Sequence, residues 1–278
     1  MEQTSSPPTP LRAWKDYTPA IDRHLPTWAR RSDPIVRRHL GIYWKILPLE
    51  TDLILRLYLF QVGLVAVSVF LPVLLPMMFI MLPVSLVLLP FLLFAYGRVL
   101  VYVGIFTTRM MVDEQRNNTL NLLRTTPLPL RHILFSKAAA GVWRQVEDMS
   151  LVLLGGVALF MPFIGLQYWS TWPFEDALIA SRVVLVLGLA VALMRLILEP
   201  FMIAALAVLF GALVPQRTPA LISLLAAGFF YFLLINMPRL LPLSPLLIIV
   251  VDFVLPVVLP LVVIWASFRL ALYILRRD

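Results

Sequence analysis

The apolar residues of this chain come in long unbroken runs separated by short polar stretches, not in the every-other-residue alternation of a transmembrane strand. Between Tyr58 and Phe106 the only charge is Arg98. That run is too long for one passage through a hydrocarbon core of ~30 Å, which takes about 20 residues. It predicts two helical spans turning near Leu82 and Pro83, with Pro72, Pro76 and Pro90 inside them as tolerated, kinking residues. Further spans are expected over 149–166, 219–236 and 246–270. The stretch 178–214 would exceed about 50 Å as one straight helix, too long for one upright passage and short for two. Pro200 offers a break. A single broken span keeps Arg217 on the same side as the central basic segment, and with it Arg276 and Arg277. The retention of Lys and Arg on the cytoplasmic side selects that arrangement: six spans with both termini inside.

The polar stretches complete the layout. Residues 1–32, rich in Pro, Ser and charge, read as a flexible cytoplasmic arm. Asp33 offers an N-cap and Pro34 a first helical residue for a short helix of sequence IVRRHLGIYWKIL. Its mixture of Tyr43 and Trp44 with Arg37, Arg38 and Lys45 suits an interfacial elbow helix in the headgroup region, so 33–57 form the elbow and lead-in and 58–278 the six-span domain. Within that domain 108–148 carries Arg109, Arg116, Arg124, Arg131, Lys137 and Arg144 and is expected in the cytoplasm. The loop QYWSTWPFEDA, with its aromatics and acidic pair, fits the outer interface.

Composition narrows the classes. Of 278 residues, 61% are hydrophobic and 14% charged, with mean hydropathy +0.91, which is more apolar side chain than a soluble domain of this size can hide. The fold class is therefore all-α, a polytopic membrane protein in contact with the lipid bilayer. The absence of cysteine excludes disulfides and thiolate chemistry. His24, His39 and His132 lack the spacing of helical metal ligands, so no metal site is expected and all three read as solvated. The net charge of +8 is sorted along the chain rather than gathered in a block, which speaks for membrane orientation and against nucleic acid as a partner. No short apolar stretch of signal-peptide type precedes the first span. No paired intramembrane acids, Gly-x-Ser-x-Gly elbow or phosphate loop is present, so neither catalytic residues nor a nucleotide cofactor are expected in this chain.

The most informative stretch is EQRNNTLNLLRTTPLPLRHILFSK, 114–137. Leu120, Leu122 and Leu123 beside polar neighbours form a short helix with an apolar ridge, stopped where Pro127 disfavours a helical Thr126. Glu114, Thr119, Leu120, Leu122, Leu123, Thr126, Pro127, Leu128, Arg131, Ile133, Leu134 and Lys137 follow one another in the register seen between the second and third spans of the permease subunits of type-2 ABC exporters, which this chain resembles. SDPIVRRHL (32–40) is similar to the start of that family's elbow helix, and AVLFGALVPQRTPALISLL (207–225) to its pattern between spans four and five. Together with the span layout, the resemblance covers nearly all of the chain after residue 32. Asn118 stands where the family usually has Gly, and Asn too adopts the left-handed conformation. Pro129 and Leu130 replace a Ser-Arg pair, and Ser136 replaces Gly.

The resemblance implies a permease subunit of an ATP-driven exporter in the bacterial inner membrane. It implies a second permease subunit, identical or similar, and two copies of a separate ABC ATPase that binds ATP and Mg. A cytoplasmic coupling helix at 114–123 would dock on that ATPase, with Leu120, Leu122 and Leu123 supplying apolar contact and Glu114, Arg116 and Thr119 polar contact. The alternative class is a non-transporting scaffold subunit of a membrane complex.

Arg195 and Glu199 lie one helical turn apart inside an apolar run, where a central charge costs at least ~2.5 kcal/mol. They are expected to face protein or water, either as a structural ion pair beside Pro200 or, with Arg98, lining a translocation path. Asp252 and Arg182 read as outer-interface residues whose charges reach water.

Overall fold

The computed structural model describes residues 25–41, 51–119, 122, 125–174 and 177–277. The described residues form helices and no strand. In chain order these are α1 (Pro34–Leu40), α2 (Thr51–Val67), α3 (Leu74–Phe79), α4 (Leu82–Arg116), α5 (Leu130–Trp143), α6 (Val146–Tyr168), α7 (Leu178–Leu213), α8 (Arg217–Asn236) and α9 (Pro245–Arg277), the last containing a π-helical turn at Val250–Val254.

Five helices, α4 and α6 to α9, are long and apolar enough to cross a membrane, which makes this a multi-pass membrane protein. Their outward faces carry large bare hydrophobic side chains, such as Phe91 and Phe94 on α4 and Phe229 and Phe230 on α8, where lipid takes the place of water. α2 is shorter, at 17 residues, and is followed by a break at 68–73 that contains Pro72.

α7 is the central element. Most of its apolar window is buried inside the protein, whereas its neighbours keep half or more of theirs uncovered. A helix that is apolar all round belongs in the interior, and α7 adds small residues, among them Ala204, Ala205, Ala207 and Ala212, that let α4 and α9 approach. Gly211 marks one such close approach: a methyl group there would come within 2.7 Å of Met111 Cβ on α4. The helix runs unbroken over 36 residues through Pro200, correcting the expected break. A proline in a membrane helix is tolerated where neighbouring helices enclose it, and here Pro200 is buried.

At the end of the bundle that holds Arg116, Arg217 and Arg277, α1 and α5 form a second layer beneath α4, α7 and α9. Asp33 caps α1 by accepting from the Ile35 and Val36 amides at 3.0 and 3.3 Å, and its other oxygen lies 2.7 Å from His132 Nε2 on α5. α1 stops at Gly41, whose φ of 56° ends the helix, so it is shorter than the expected elbow; residues 42–50 lie outside the described set. Ile35, Val36 and Leu40 are covered by protein, not by headgroups. Residues 25–32, assigned to the flexible arm from sequence, make a 3-10 turn at Thr27–Ala29 held by the Trp143 indole, which donates to the Ala29 carbonyl at 2.8 Å.

Candidate functional site

Among the described residues, two polar sites stand out within the apolar packing. The first lies between α4, α7 and α8. Arg195 and Glu199 sit one turn apart on α7, and Glu199 is completely buried. Its carboxylate accepts from Arg195 Nε at 2.5 Å, from the Tyr96 hydroxyl on α4 at 2.6 Å and from the Tyr231 hydroxyl on α8 at 3.1 Å. Three donors around one carboxylate are what make an ionised acid tolerable in a low-dielectric interior. At ~1.5 Å per residue Arg195 stands roughly 25 Å along α7 from its first residue, well inside the apolar zone.

The second half of this site lies nearer the opposite end from α5. The π-helical turn of α9 widens the backbone locally and carries Asp252 inward. Asp252 accepts from the Tyr168 hydroxyl at 3.0 Å and from Gln167 Nε2 at 3.2 Å, and pairs with Arg239 Nε at 2.8 Å. It is buried in protein, not placed at the interface as expected. Arg182 is also buried, donating to the Phe174 carbonyl and the Ser181 hydroxyl, each at 2.9 Å.

Both polar groups line one open cavity of about 500 Å³. Apart from Asn236 its remaining wall is apolar, with Leu89, Leu93, Phe160, Phe163 and Phe232 prominent. Arg98 does not take part. It lies 3.3 Å from Asp148 at the start of α6, both half exposed, so the structure separates it from Arg195 and Glu199.

The other site is at the basic end, where α4 finishes. Glu114 is buried there, pairing with the fully buried Lys137 ammonium of α5 and with His39 Nε2 of α1 at 3.1 Å. Burial pulls the Lys137 ammonium below the ordinary lysine range, with the Glu114 carboxylate opposing that shift. Glu114 is therefore a fastening of α4 to α1 and α5, and not the surface contact expected from sequence. His39 and His132, expected to be solvated, are both largely covered and paired with acids.

Beyond Glu114 the chain turns outward. Arg116, Asn117 and Asn118 are exposed, Asn118 taking the left-handed backbone with φ 54°, and Thr119 is half-buried with its hydroxyl donating to the Glu114 carbonyl at 3.2 Å. Leu122 is 68% exposed, a large apolar side chain that the described residues leave mostly bare. Thr125 closes the turn by donating from its hydroxyl to the Leu122 carbonyl at 2.7 Å. Leu120 and Leu123 lie outside the described residues.

Tyr96, Tyr231, Tyr168, Gln167 and Arg239 were missed by sequence reasoning. The tyrosines and Gln167 have their partners far along the chain, up to 103 residues away for Tyr96 and Glu199, and Arg239 reaches Asp252 across the loop between α8 and α9. The one local signal is tyrosine inside an apolar run and away from its ends, as at Tyr96 and Tyr231. Compared with known proteins, the chain matches no family model, no curated protein and no solved structure.

Proposed function

We propose that this chain is the membrane-spanning permease subunit of an ATP-driven exporter of the bacterial cytoplasmic membrane, working with a second permease subunit and with separate ATPase subunits. The observation that carries the reading is the base of the 114–137 segment. Its first and last matched residues, Glu114 and Lys137, meet as a buried pair, while Arg116, Asn118 and Leu122 between them are exposed. A stiff-based projection with an uncovered leucine is what a cytoplasmic partner needs to grip. Two further features support the reading. The end that carries the projection also carries Arg131, Arg217, Arg276 and Arg277, as a cytoplasmic face does. α2, at 17 residues, meets the lower limit for a crossing, about 17, and its Val65 packs with Met161 and Tyr168 of α6, away from the basic end. Six spans with both termini cytoplasmic follow if α2 crosses.

The chain contributes no ATP chemistry in this scheme; ATP and Mg belong to the partner. Closure of the ATPase pair moves the projection, α4 transmits the movement, and the cavity on α4, α6, α7, α8 and α9 is where cargo meets the protein. The test is affinity purification of the tagged chain from its own cells in mild detergent. An ATPase bearing phosphate-loop motifs should accompany the wild type and fall at least about tenfold with Arg116→Glu plus Leu122→Asp, a loss of roughly 1.4 kcal/mol or more, while the melting temperature stays unchanged. Wild-type protein that brings down no ATPase overturns the proposal, and stable capture of other membrane proteins in its place speaks for a scaffold.

A further inference from the structure

The cavity between the helices is charged in a lopsided way. Its two acids are covered, Glu199 fully and Asp252 at 7% side-chain exposure, whereas their partners Arg195 and Arg239 are 19% and 31% exposed. Arg195 bonds Glu199 through Nε and Arg239 pairs with Asp252 through Nε, and among the described residues neither guanidinium makes a further hydrogen bond. A guanidinium has five donors in a planar fork, so the terminal amino groups of both remain available on the side where the two residues line the cavity. What a ligand meets there is cation, although each ion pair is neutral as a whole. Apart from Asn236 the rest of the wall is apolar, mostly leucine and phenylalanine, in a zone whose outer surface carries bare hydrophobic side chains.

We infer that this cavity binds an amphiphile carrying a phosphate or carboxylate on an apolar chain, the anion held by the free edges of Arg195 and Arg239 and the chain by Leu93, Phe160, Phe163 and Phe232. Arg–phosphate and Arg–carboxylate contacts are two-pronged and charge-assisted, and strengthen where water is scarce. A free phosphate ion would gain the arginines but leave the apolar wall empty. A zwitterionic phospholipid would bring an ammonium next to arginines whose acids are already occupied. The inference does not rest on the ATPase reading, because binding is measured on the isolated chain.

The experiment uses the purified full chain in detergent, with native mass spectrometry and displacement of a radiolabelled phosphatidylglycerol. One tight, saturable site per chain is expected, displaced by short-chain phosphatidic acid and not by inorganic phosphate or phosphatidylcholine at the same concentration. Arg195→Gln with Glu199→Gln, and Arg239→Gln with Asp252→Asn, remove each pair as neutral isosteres and should weaken binding about tenfold or more. Ala192→Phe fills the cavity without touching a charge and should abolish the saturable site, whereas Arg98→Gln, outside the cavity, should leave it unchanged. Equal affinity for phosphatidylcholine, displacement by inorganic phosphate, or retention of the site in Ala192→Phe overturns the inference. The headgroup comparison on the wild type decides the matter even if a paired variant fails to fold.

Discussion

Glu114 and Lys137 illustrate why a charge cannot be judged from its neighbours in sequence. On a polar segment Glu114 looks like a surface residue, and its position in the motif makes it look like a contact for a partner. In three dimensions it is withdrawn, with an ammonium and an imidazole set against it. Removing one member of a buried pair strands the other, so Lys137→Met should destabilise the protein by about 3–5 kcal/mol, and Glu114→Gln together with Lys137→Met should recover most of that loss. Denaturation of the detergent-solubilised single and double variants checks this; equal loss in both would refute it. Tyr96→Phe makes a milder demand. It deletes one of three donors to the buried Glu199 carboxylate without changing shape, and a loss of about 1–3 kcal/mol is expected in the same assay. The Arg195 and Glu199 pair was legible because its partners are a helical turn apart. The two tyrosines were not, because only the packing of α4 and α8 against α7 brings them in.

At the scale of the element, spans could be read where a lipid-facing run ends in charge or in turn residues. The helices α6, α8 and α9 begin and end within a few residues of the expected bounds, apart from the longer basic end of α9. The reading failed at α7, where proline suggested a break. A proline's local cost is fixed by its chemistry, but its consequence depends on what surrounds it, and burial of Pro200 within a mostly enclosed helix keeps α7 whole. The same enclosure makes the small residues of α7 exacting. Gly211→Val should push α4 away from α7 and cost about 1–3 kcal/mol, whereas Gly97→Ala, with open space around it, should change little. Thermal unfolding of the two variants side by side tests whether close approach, and not glycine as such, is what position 211 requires.

For the molecule as a whole, the absence of native cysteine turns topology into a clean measurement. Thr125 and Leu240 are both exposed, and of the four helices between them along the chain three, α6, α7 and α8, are long and apolar enough to cross a membrane. An odd number of crossings puts them on opposite sides. A membrane-impermeant maleimide applied to intact cells should therefore label Leu240→Cys at once and Thr125→Cys only after permeabilisation. Labelling of both from outside would refute the arrangement.

Between Arg116 and Tyr96 the fourth helix has no proline and no break, and its last turn is riveted to two neighbours through Glu114. A tug on the turn at 116–119 thus has no soft joint in which to dissipate. On the proposed reading it would travel as along a pushrod for roughly 30 Å at ~1.5 Å per residue, to the hydroxyl of Tyr96, one of the three props under Glu199.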